Sequence, residues 1–402
     1  MRDLGADGAV SVSADFAAMS RRGARRVRSR AVIAPANPQA TGDDLAAARR
    51  ALKSGLAWLG RAQSQDGGWH SRTYGALRGG AATTALALYA IAHAPDDDRK
   101  TLAEHVQAGY AFLQPGMRKK GTVACPDGSL DFPTYASAMT LMAVERLAID
   151  APRDELAQLV DYLVRAQITE SRGFAADSPH VGGWDLTGPI DEPGITSGTN
   201  VSVSRFAIEA LARSKEDAAA GAVRLAQRWV AGCQNSSGDG GFVFTPERTS
   251  DSNKALWSDD KQTQARSYGT ATCDGLLCLM HAGAAGDDRG VTATVKWLVD
   301  RPGVEVVPGF EDAPKEADWQ NGLKLYYYAA LAAALRWFPQ DAAAERRGAL
   351  LSHLVSLQRR DGSWRNASAR MREDDPLIAT GLALVALGEM VASAEREITN
   401  HK

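Results

Sequence analysis

The sequence predicts an all-α fold, a single (α/α)6 toroid in which six helical hairpins form an outer and an inner ring. The first observation is that amphipathic segments alternate with almost uncharged apolar segments from Asp44 to the C-terminus. The second is that a pattern of Gln, a Gly-containing turn and an aromatic residue recurs where amphipathic segments end. An amphipathic helix keeps one face in water, whereas a helix that is apolar on all sides is buried. Strict alternation of the two kinds therefore indicates two concentric rings.

The predicted outer helices carry charges along one side, and the predicted inner helices are rich in Ala, Gly, Ser and Thr, which lets their axes approach closely. The outer helices are predicted at residues 45–62, 102–113, 155–166, 220–231, 291–299 and 345–357. The inner helices are predicted at residues 83–93, 135–147, 201–212, 270–281, 323–337 and 377–392. Because a closed repeat array is one structural unit, we predict one toroid domain over residues 44–402.

Residues 1–43 are predicted to be a flexible basic leader. Residues 21–30 are rich in arginine, and the apolar residues that follow are ended by Pro35, too soon for a secretory signal. Contact of this leader with anionic lipid headgroups is the alternative. No apolar run reaches the ~18 residues of a membrane span. We therefore predict a cytoplasmic protein, with peripheral membrane contact through the leader as the alternative.

The composition argues against a nucleic-acid partner. Lys and Arg number 46 and Asp and Glu number 48, so the formal net charge is -2, whereas nucleic-acid binding needs a basic surface. The four cysteines form no CxxC pair and no spacing typical of zinc ligands, and we predict reduced, mostly buried thiols. The sequence does not indicate an oligomeric state.

The turns after the predicted outer helices share a structural logic. An Asp-Gly pair forms a tight turn because glycine tolerates positive φ. The glutamine can hydrogen-bond backbone groups at a helix end, and the aromatic residue packs back across the turn. The good copies run from Gln63 to Trp69, from Gln234 to Phe242 and from Gln358 to Trp364, and a weaker copy runs from Gln167 to Trp184.

These turns resemble the QW motif of squalene and oxidosqualene cyclases. With the helix alternation, the chain resembles the terpenoid cyclase and protein prenyltransferase superfamily, including squalene-hopene cyclases and prenyltransferase/squalene oxidase repeat proteins, over roughly residues 44–392. The resemblance implies isoprenoid chemistry. The motif itself ties helices together and says nothing about the reaction.

The acid motif of the class II terpene cyclases in that superfamily is missing. Those enzymes protonate an alkene or epoxide with an Asp-x-Asp-Asp motif, which requires a protonated carboxyl in a dry cavity. No Asp-x-Asp-Asp occurs in this sequence. The nearest acidic clusters, at residues 96–98, 259–260 and 373–375, are predicted to be solvated caps and turns.

The zinc site of the prenyltransferase branch is also incomplete. The resemblance places Asp274 at the aspartate ligand, but Leu276 stands at the cysteine position and residues 377–380 contain no histidine. Because zinc sites use at least three protein ligands, we predict no metal and no cofactor.

Two aspartates remain as candidate catalytic acids. Asp274 lies on an otherwise apolar helix, where a carboxyl must be solvated, paired or protonated. Its alternative role is a structural carboxylate, paired with an arginine such as Arg266 or capping a helix. Asp131 lies in the loop before the second inner helix and is alternatively the N-cap of that helix.

Aromatic residues near the inner helices are candidate substrate contacts, because their faces pack apolar chains and stabilise carbocations. Core packing is the alternative for at least one residue of the run 326–328. The long loops at residues 171–197 and 246–267 are lids or disordered insertions. The candidate substrate-binding residues are Tyr135, Trp184, Tyr268, Trp319, Tyr326 and Tyr327.

The leading functional hypothesis is a terpene cyclase-like isomerase or lyase that acts on a polyprenyl or squalene-type chain in the lumen. The second hypothesis is a non-catalytic toroid that binds a lipid or a protein partner. The third is a carbohydrate-active (α/α)6 barrel, which needs two carboxylates facing each other across a cleft.

Overall fold

The computed structural model describes residues 42–188, 194, 196–247, 253–255, 265–311 and 318–400. The predicted basic leader lies almost entirely outside these residues. Within them the secondary structure is helical, and the fold class predicted from the sequence is confirmed. The helices are α1 Gly42–Ala62, α2 Ala81–Ala92, α3 Asp96–Lys100, α4 Ala103–Lys120, α5 Pro133–Leu147, α6 Arg153–Ala166, α7 Val201–Arg213, α8 Asp217–Cys233, α9 Gly269–His281, α10 Arg289–Val299, α11 Trp319–Gly322, α12 Lys324–Ala334, α13 Gln340–Leu357 and α14 Pro376–Asn400.

The inner ring consists of α2, α5, α7, α9, α12 and α14, and each helix packs on the next. The ring closes where α14 packs against α2. The outer helices are α1, α4, α6, α8, α10 and α13, and α1 lies against α13, so that the first and last outer helices also meet. The small residues predicted to allow close packing are buried along the inner helices, as in α2, where every residue except Ala82 is buried.

Two helices extend by seven or more residues beyond their predicted ends. The sequence predicts an end at residue 113 in the second outer helix, but α4 continues through Pro115 to Lys120. α14 continues past residue 392 to Asn400. The segment Pro376–Arg396 of α14 is long and apolar enough to cross a membrane. Of its most apolar stretch of 18 residues, 72% is buried inside the protein. That burial is what an inner-ring helix requires.

Each turn glutamine joins its own turn to the next outer helix. Gln63 Nε2 donates to Gly67 O at 2.7 Å and to His105 O of α4 at 2.9 Å. Gln358 Nε2 donates to its own turn and to Ala51 O of α1 at 2.8 Å, which links the last outer helix to the first. Gln167 and Gln234 repeat this arrangement.

The turn tryptophans stabilise the same turns by donating a hydrogen bond to the preceding outer helix. Trp69 Nε1 donates to Leu59 O at 2.8 Å, and Trp364 Nε1 donates to Leu354 O at 2.8 Å. Trp184, predicted as a substrate contact, does the same with Leu163 O at 2.7 Å and is completely buried. The ring of Trp184 is thus part of the repeated packing between helices, and its predicted contact with a substrate stays a prediction.

Candidate functional site

Two inner helices bring hydroxyl groups onto the carboxyl of Asp274, which lies on a third. Asp274 lies on α9 and is completely buried. Ser202 of α7 donates its hydroxyl to Asp274 Oδ2 at 2.7 Å. Tyr326 of α12 donates its hydroxyl to the same carboxyl, at 3.1 Å from Oδ2 and 3.3 Å from Oδ1. Asp274 therefore faces the interior of the inner ring, at a point where α7, α9 and α12 meet.

Burial dominates the acidity of this carboxyl. Desolvation raises the pKa of Asp274 to about 6, against the opposing effects of the Arg205 charge, the Ser202 and Tyr326 hydrogen bonds and the Lys254 charge. Burial thus favours the protonated form, while two donors and two cations stabilise the carboxylate after proton loss. These cations belong to α7 and to residues 253–255, whereas the sequence suggested an arginine such as Arg266.

Two more of the predicted aromatic residues lie near Asp274. Tyr135 of α5 contacts Phe206 edge-on with ring centroids 5.4 Å apart. Burial and the charge of Asp274 both raise the pKa of Tyr135 and of Tyr268. Tyr268 precedes α9 and its ring lies 5.0 Å from that of Phe310. Together with Tyr326 these side chains give the carboxyl an aromatic surrounding.

Lys254 completes this group, and the sequence analysis did not identify it. Its Nζ lies 3.0 Å from the centroid of the Phe244 ring and 5.6 Å from that of Trp319. Burial lowers the pKa of Lys254 to about 7, and the charge of Asp274 counteracts this. Lys254 belongs to a long loop with no helical periodicity, so no pattern in the sequence marks it.

Tyr327 and Trp319 are the remaining aromatic residues of the predicted set. Tyr327 is completely buried, 6.1 Å from the ring of Tyr328 and close enough to Arg346 of α13 for that charge to act on it. It packs between the inner and the outer ring of helices, and its predicted contact with a substrate stays a prediction. Trp319 is half-buried, with Arg370 5.3 Å from its ring centroid on one side and Lys254 on another.

Asp131, the second candidate acid, caps a neighbouring helix. Its Oδ2 accepts a hydrogen bond from Ala82 N at the start of α2 at 3.3 Å, and its buried Oδ1 has no hydrogen-bond partner among the described residues. The N-cap of its own helix is Phe132, in the left-handed region at φ 46°. Burial raises the pKa of Asp131 to about 6, against the charge of Arg372.

The acidic cluster at residues 373–375 is a correction to the sequence analysis, which expected solvated acids. Glu373 is buried and accepts hydrogen bonds from Leu325 N at 3.0 Å and Tyr326 N at 2.9 Å, capping α12. Burial raises its pKa to about 7. Asp375 is buried and accepts from Leu377 N at 2.8 Å at the start of α14. By contrast, Asp96 and Asp97 in α3 are exposed, and residues 259–260 lie outside the described residues.

Below Asp274, towards the C-terminal ends of the inner helices, Arg205 also faces Glu209. Arg205 Nη2 lies 3.6 Å from Glu209 Oε2, and both side chains are buried on α7. Burial would raise the pKa of Glu209, but Arg205, His281, Arg146 and Arg213 together lower it to about 2. Arg205 thus connects the Asp274 site with a buried charged cluster.

The described residues contain no group of three or more His, Cys, Asp or Glu side chains that could hold a metal ion. That the protein binds no metal stays a prediction. All four cysteines are buried free thiols.

Comparison with known proteins identifies solved structures of similar fold. No protein-family model and no curated protein matches the sequence. The type II terpene cyclase MstE from Scytonema has a similar structure. A variant of it in complex with merosterolic acid A is 15% identical, with a TM-score of 0.56 over 87% of this chain and 99% of the cyclase. A variant in complex with geranylgeranyl dihydroxybenzoate is also 15% identical, with a TM-score of 0.56 over 88% of this chain and 99% of the cyclase.

A variant of a glycosidase is also similar in structure. It is 14% identical, with a TM-score of 0.50 over 87% of this chain and 98% of the glycosidase. At such identities the similarity is one of fold, which is terpene cyclase-like. The chemistry must be argued from the side chains around Asp274.

Proposed function

We propose that this protein is a terpene cyclase-like enzyme in which Asp274 donates a proton to an apolar isoprenoid chain inside the inner ring. The observation that carries the proposal is the environment of the carboxyl. It is buried among tyrosines, its pKa is raised to about 6, and Ser202 and Tyr326 donate hydrogen bonds to it. A general acid needs both the proton and a stabilised conjugate base.

The reaction would begin with transfer of the Asp274 proton to a carbon–carbon double bond, whose electron pair forms the new C–H bond. The carboxylate left behind is stabilised by the two hydroxyl donors and by Arg205. The carbocation formed at the other carbon is stabilised by aromatic faces, for which Tyr135 and Tyr268 are available. Attack by a second double bond closes a ring, and loss of a proton ends the reaction.

The substrate class is supported by two observations. The site combines one buried carboxyl with aromatic side chains from four elements, which suits an apolar chain. A variant of the MstE terpene cyclase, similar to this chain in fold, was solved in complex with its substrate geranylgeranyl dihydroxybenzoate. We therefore propose a polyprenyl or squalene-type chain as the substrate.

The test is conversion of polyprenyl alcohols, a geranylgeranyl-substituted dihydroxybenzoate and squalene to cyclic isomers, followed by mass spectrometry. Asp274→Asn, which keeps the volume and removes the acidic proton, should reduce turnover by roughly a hundredfold or more. Asp131→Asn is the matched control, because Asp131 is also a buried aspartate with a raised pKa. We expect it to keep most of the activity.

Three outcomes would contradict the proposal. Wild-type protein that binds these chains without converting them would favour the lipid-binding toroid. Activity that survives Asp274→Asn but not Asp131→Asn would assign the acid to the other aspartate. Hydrolysis of oligosaccharides would favour a carbohydrate-active enzyme, which needs a pair of facing carboxylates.

A further inference from the structure

Lys254 is held firmly next to the Asp274 site. The residues on either side of it, Asn253 and Ala255, are both buried, and Asn253 Nδ2 donates to Arg266 O at 3.0 Å. The lysine side chain places Nζ 3.0 Å from the centroid of the Phe244 ring. Phe244 is itself fixed, because its carbonyl accepts a hydrogen bond from Val201 N at the start of α7 at 3.0 Å. The two partners of the contact are therefore both held in place, Lys254 through its buried neighbours and the hydrogen bond of Asn253, and Phe244 through its own carbonyl.

The environment of this amine differs from that of an ordinary surface lysine. Lys296, for comparison, lies 2.7 Å from Asp300 Oδ2. Lys254 Nζ makes no ion pair or hydrogen bond with the described residues, and aromatic rings take the place of a counter-ion. Burial lowers its pKa to about 7, so that a large share of the amine is neutral near pH 7. A neutral lysine in an apolar pocket is a nucleophile for carbonyl carbon.

Imine formation needs an acid as well as an amine, because a hydroxyl group must leave as water. Asp274 is the acid nearby: Lys254 lies over Phe244, whose carbonyl is bonded to Val201 N, and the next residue, Ser202, donates to Asp274. The charges of Asp274 and Lys254 also act on each other. Arg205, on α7, is the other cation that acts on Asp274 and faces Glu209 on its far side. Amine, acid and aromatic surface thus occur together.

We propose that Lys254 and Asp274 act as an imine-forming pair that takes an apolar aldehyde or ketone. The lone pair of Nζ attacks the carbonyl carbon, and one N–H proton moves to the carbonyl oxygen to give a carbinolamine. Asp274 then donates its proton to the hydroxyl, water leaves, and a protonated imine and a carboxylate remain. The inference deepens the proposed function, on which it rests for the apolar isoprenoid substrate and for Asp274 as the acid.

The experiment uses the full chain, farnesal as the probe and cyanoborohydride as the reductant at neutral pH. The imine is reduced to a stable secondary amine, and peptide mapping by mass spectrometry locates it. We expect modification at Lys254, none at this position in Lys254→Met, and unchanged modification in the control Lys296→Met. Thermal melts check that Lys254→Met is folded.

Asp274→Asn separates the acid role from a merely electrostatic one. Loss of the carboxylate charge would lower the pKa of Lys254 further and increase the neutral amine, so an electrostatic role alone predicts equal or faster trapping. The acid role predicts trapping slower by roughly a hundredfold.

Wild-type protein without an adduct at Lys254, or with adducts spread equally over its surface lysines, would overturn the inference. The cyclisation assay is read separately. An adduct at Lys254 without any cyclic product would keep the imine-forming pair and remove the proposed cyclase. Cyclic product without an adduct would keep the proposed cyclase and remove the imine-forming pair.

Discussion

At the scale of single residues, the raised pKa of Asp274 has a consequence for stability that does not depend on any substrate. The pKa is about 6 in the folded protein and 3.8 in its ordinary state. Below pH ~4 the carboxyl is protonated in both the folded and the unfolded chain, so burying it costs no stability through ionisation. As the pH rises to about 6 the unfolded chain loses this proton first, and stability falls.

We predict that Asp274→Asn raises the free energy of unfolding at neutral pH by up to roughly 3 kcal/mol, since each pKa unit corresponds to about 1.4 kcal/mol. The gain should shrink to nothing as the pH falls from about 6 to about 4. Denaturant unfolding of both proteins across this range measures it. A variant that is much less stable at neutral pH would show that Asp274 is a structural carboxylate paired with Arg205.

The sequence identified Asp274 because an acid on an apolar helix is conspicuous, but it could not tell which aromatic residues face the lumen. Adjacent residues on a helix point about 100° apart, so only one of Tyr326 and Tyr327 could face Asp274, and the sequence did not show which. For Trp184 the sequence indicated two roles, the aromatic residue of the weaker turn and a substrate contact, and the structure shows the packing in the turn.

At the scale of helices and turns, the repeat explains two glycines within outer helices. A Cβ on Gly109 of α4 would lie 2.7 Å from Trp69 Cζ3, and one on Gly55 of α1 would lie 2.7 Å from Trp364 Cζ3. Each turn tryptophan therefore packs against the backbone of the following outer helix. Glycine lowers intrinsic helix stability. The close packing of the tryptophans explains why glycine nevertheless occupies these two positions.

We predict that Gly109→Ala destabilises the protein by roughly 1–3 kcal/mol, because the added methyl forces Trp69 from its place. Gly221→Ala is the matched control in the outer helix α8, where the nearest atom to a Cβ is Arg224 Nη2 at 3.8 Å. That change should be neutral or stabilising by up to about 1 kcal/mol. Equal effects of the two substitutions on urea unfolding would contradict this account of the turns.

The sequence predicted the helices well where periodicity alone decides, and less well at their ends. The second outer helix was predicted to end at residue 113, yet α4 continues through Pro115, although proline removes a backbone donor. Burial of Gly116 and Met117 on that last turn favours continuation. Such tertiary packing is not visible in a local pattern.

At the scale of the whole molecule, the inner ring is closed by charges near the C-terminal ends of its helices. Glu389 of α14 lies 3.3 Å from His93, which follows α2, 3.4 Å from Arg146 of α5 and 3.1 Å from Arg336, which follows α12. A cavity of about 950 Å³ lies beside this cluster and is lined by it and by residues of α1 and α3. One carboxylate thus ties the last inner helix to three others.

We predict that Glu389→Gln lowers the free energy of unfolding by roughly 1–3 kcal/mol, because it removes the charged partner of the partly buried Arg146 and of the more exposed Arg336. Burial would raise the pKa of Glu389, but His93, Arg336 and Arg146 lower it. The contribution is therefore present above the ordinary glutamate pKa and is lost as the pH falls through the lower, folded-state value. Glu145→Gln is the control, since Glu145 makes one exposed ion pair, with Arg213, worth about 0–1 kcal/mol. If urea unfolding at neutral pH gives the same loss for both variants, ring closure rests on apolar packing between α14 and α2 and the charged cluster contributes little to it.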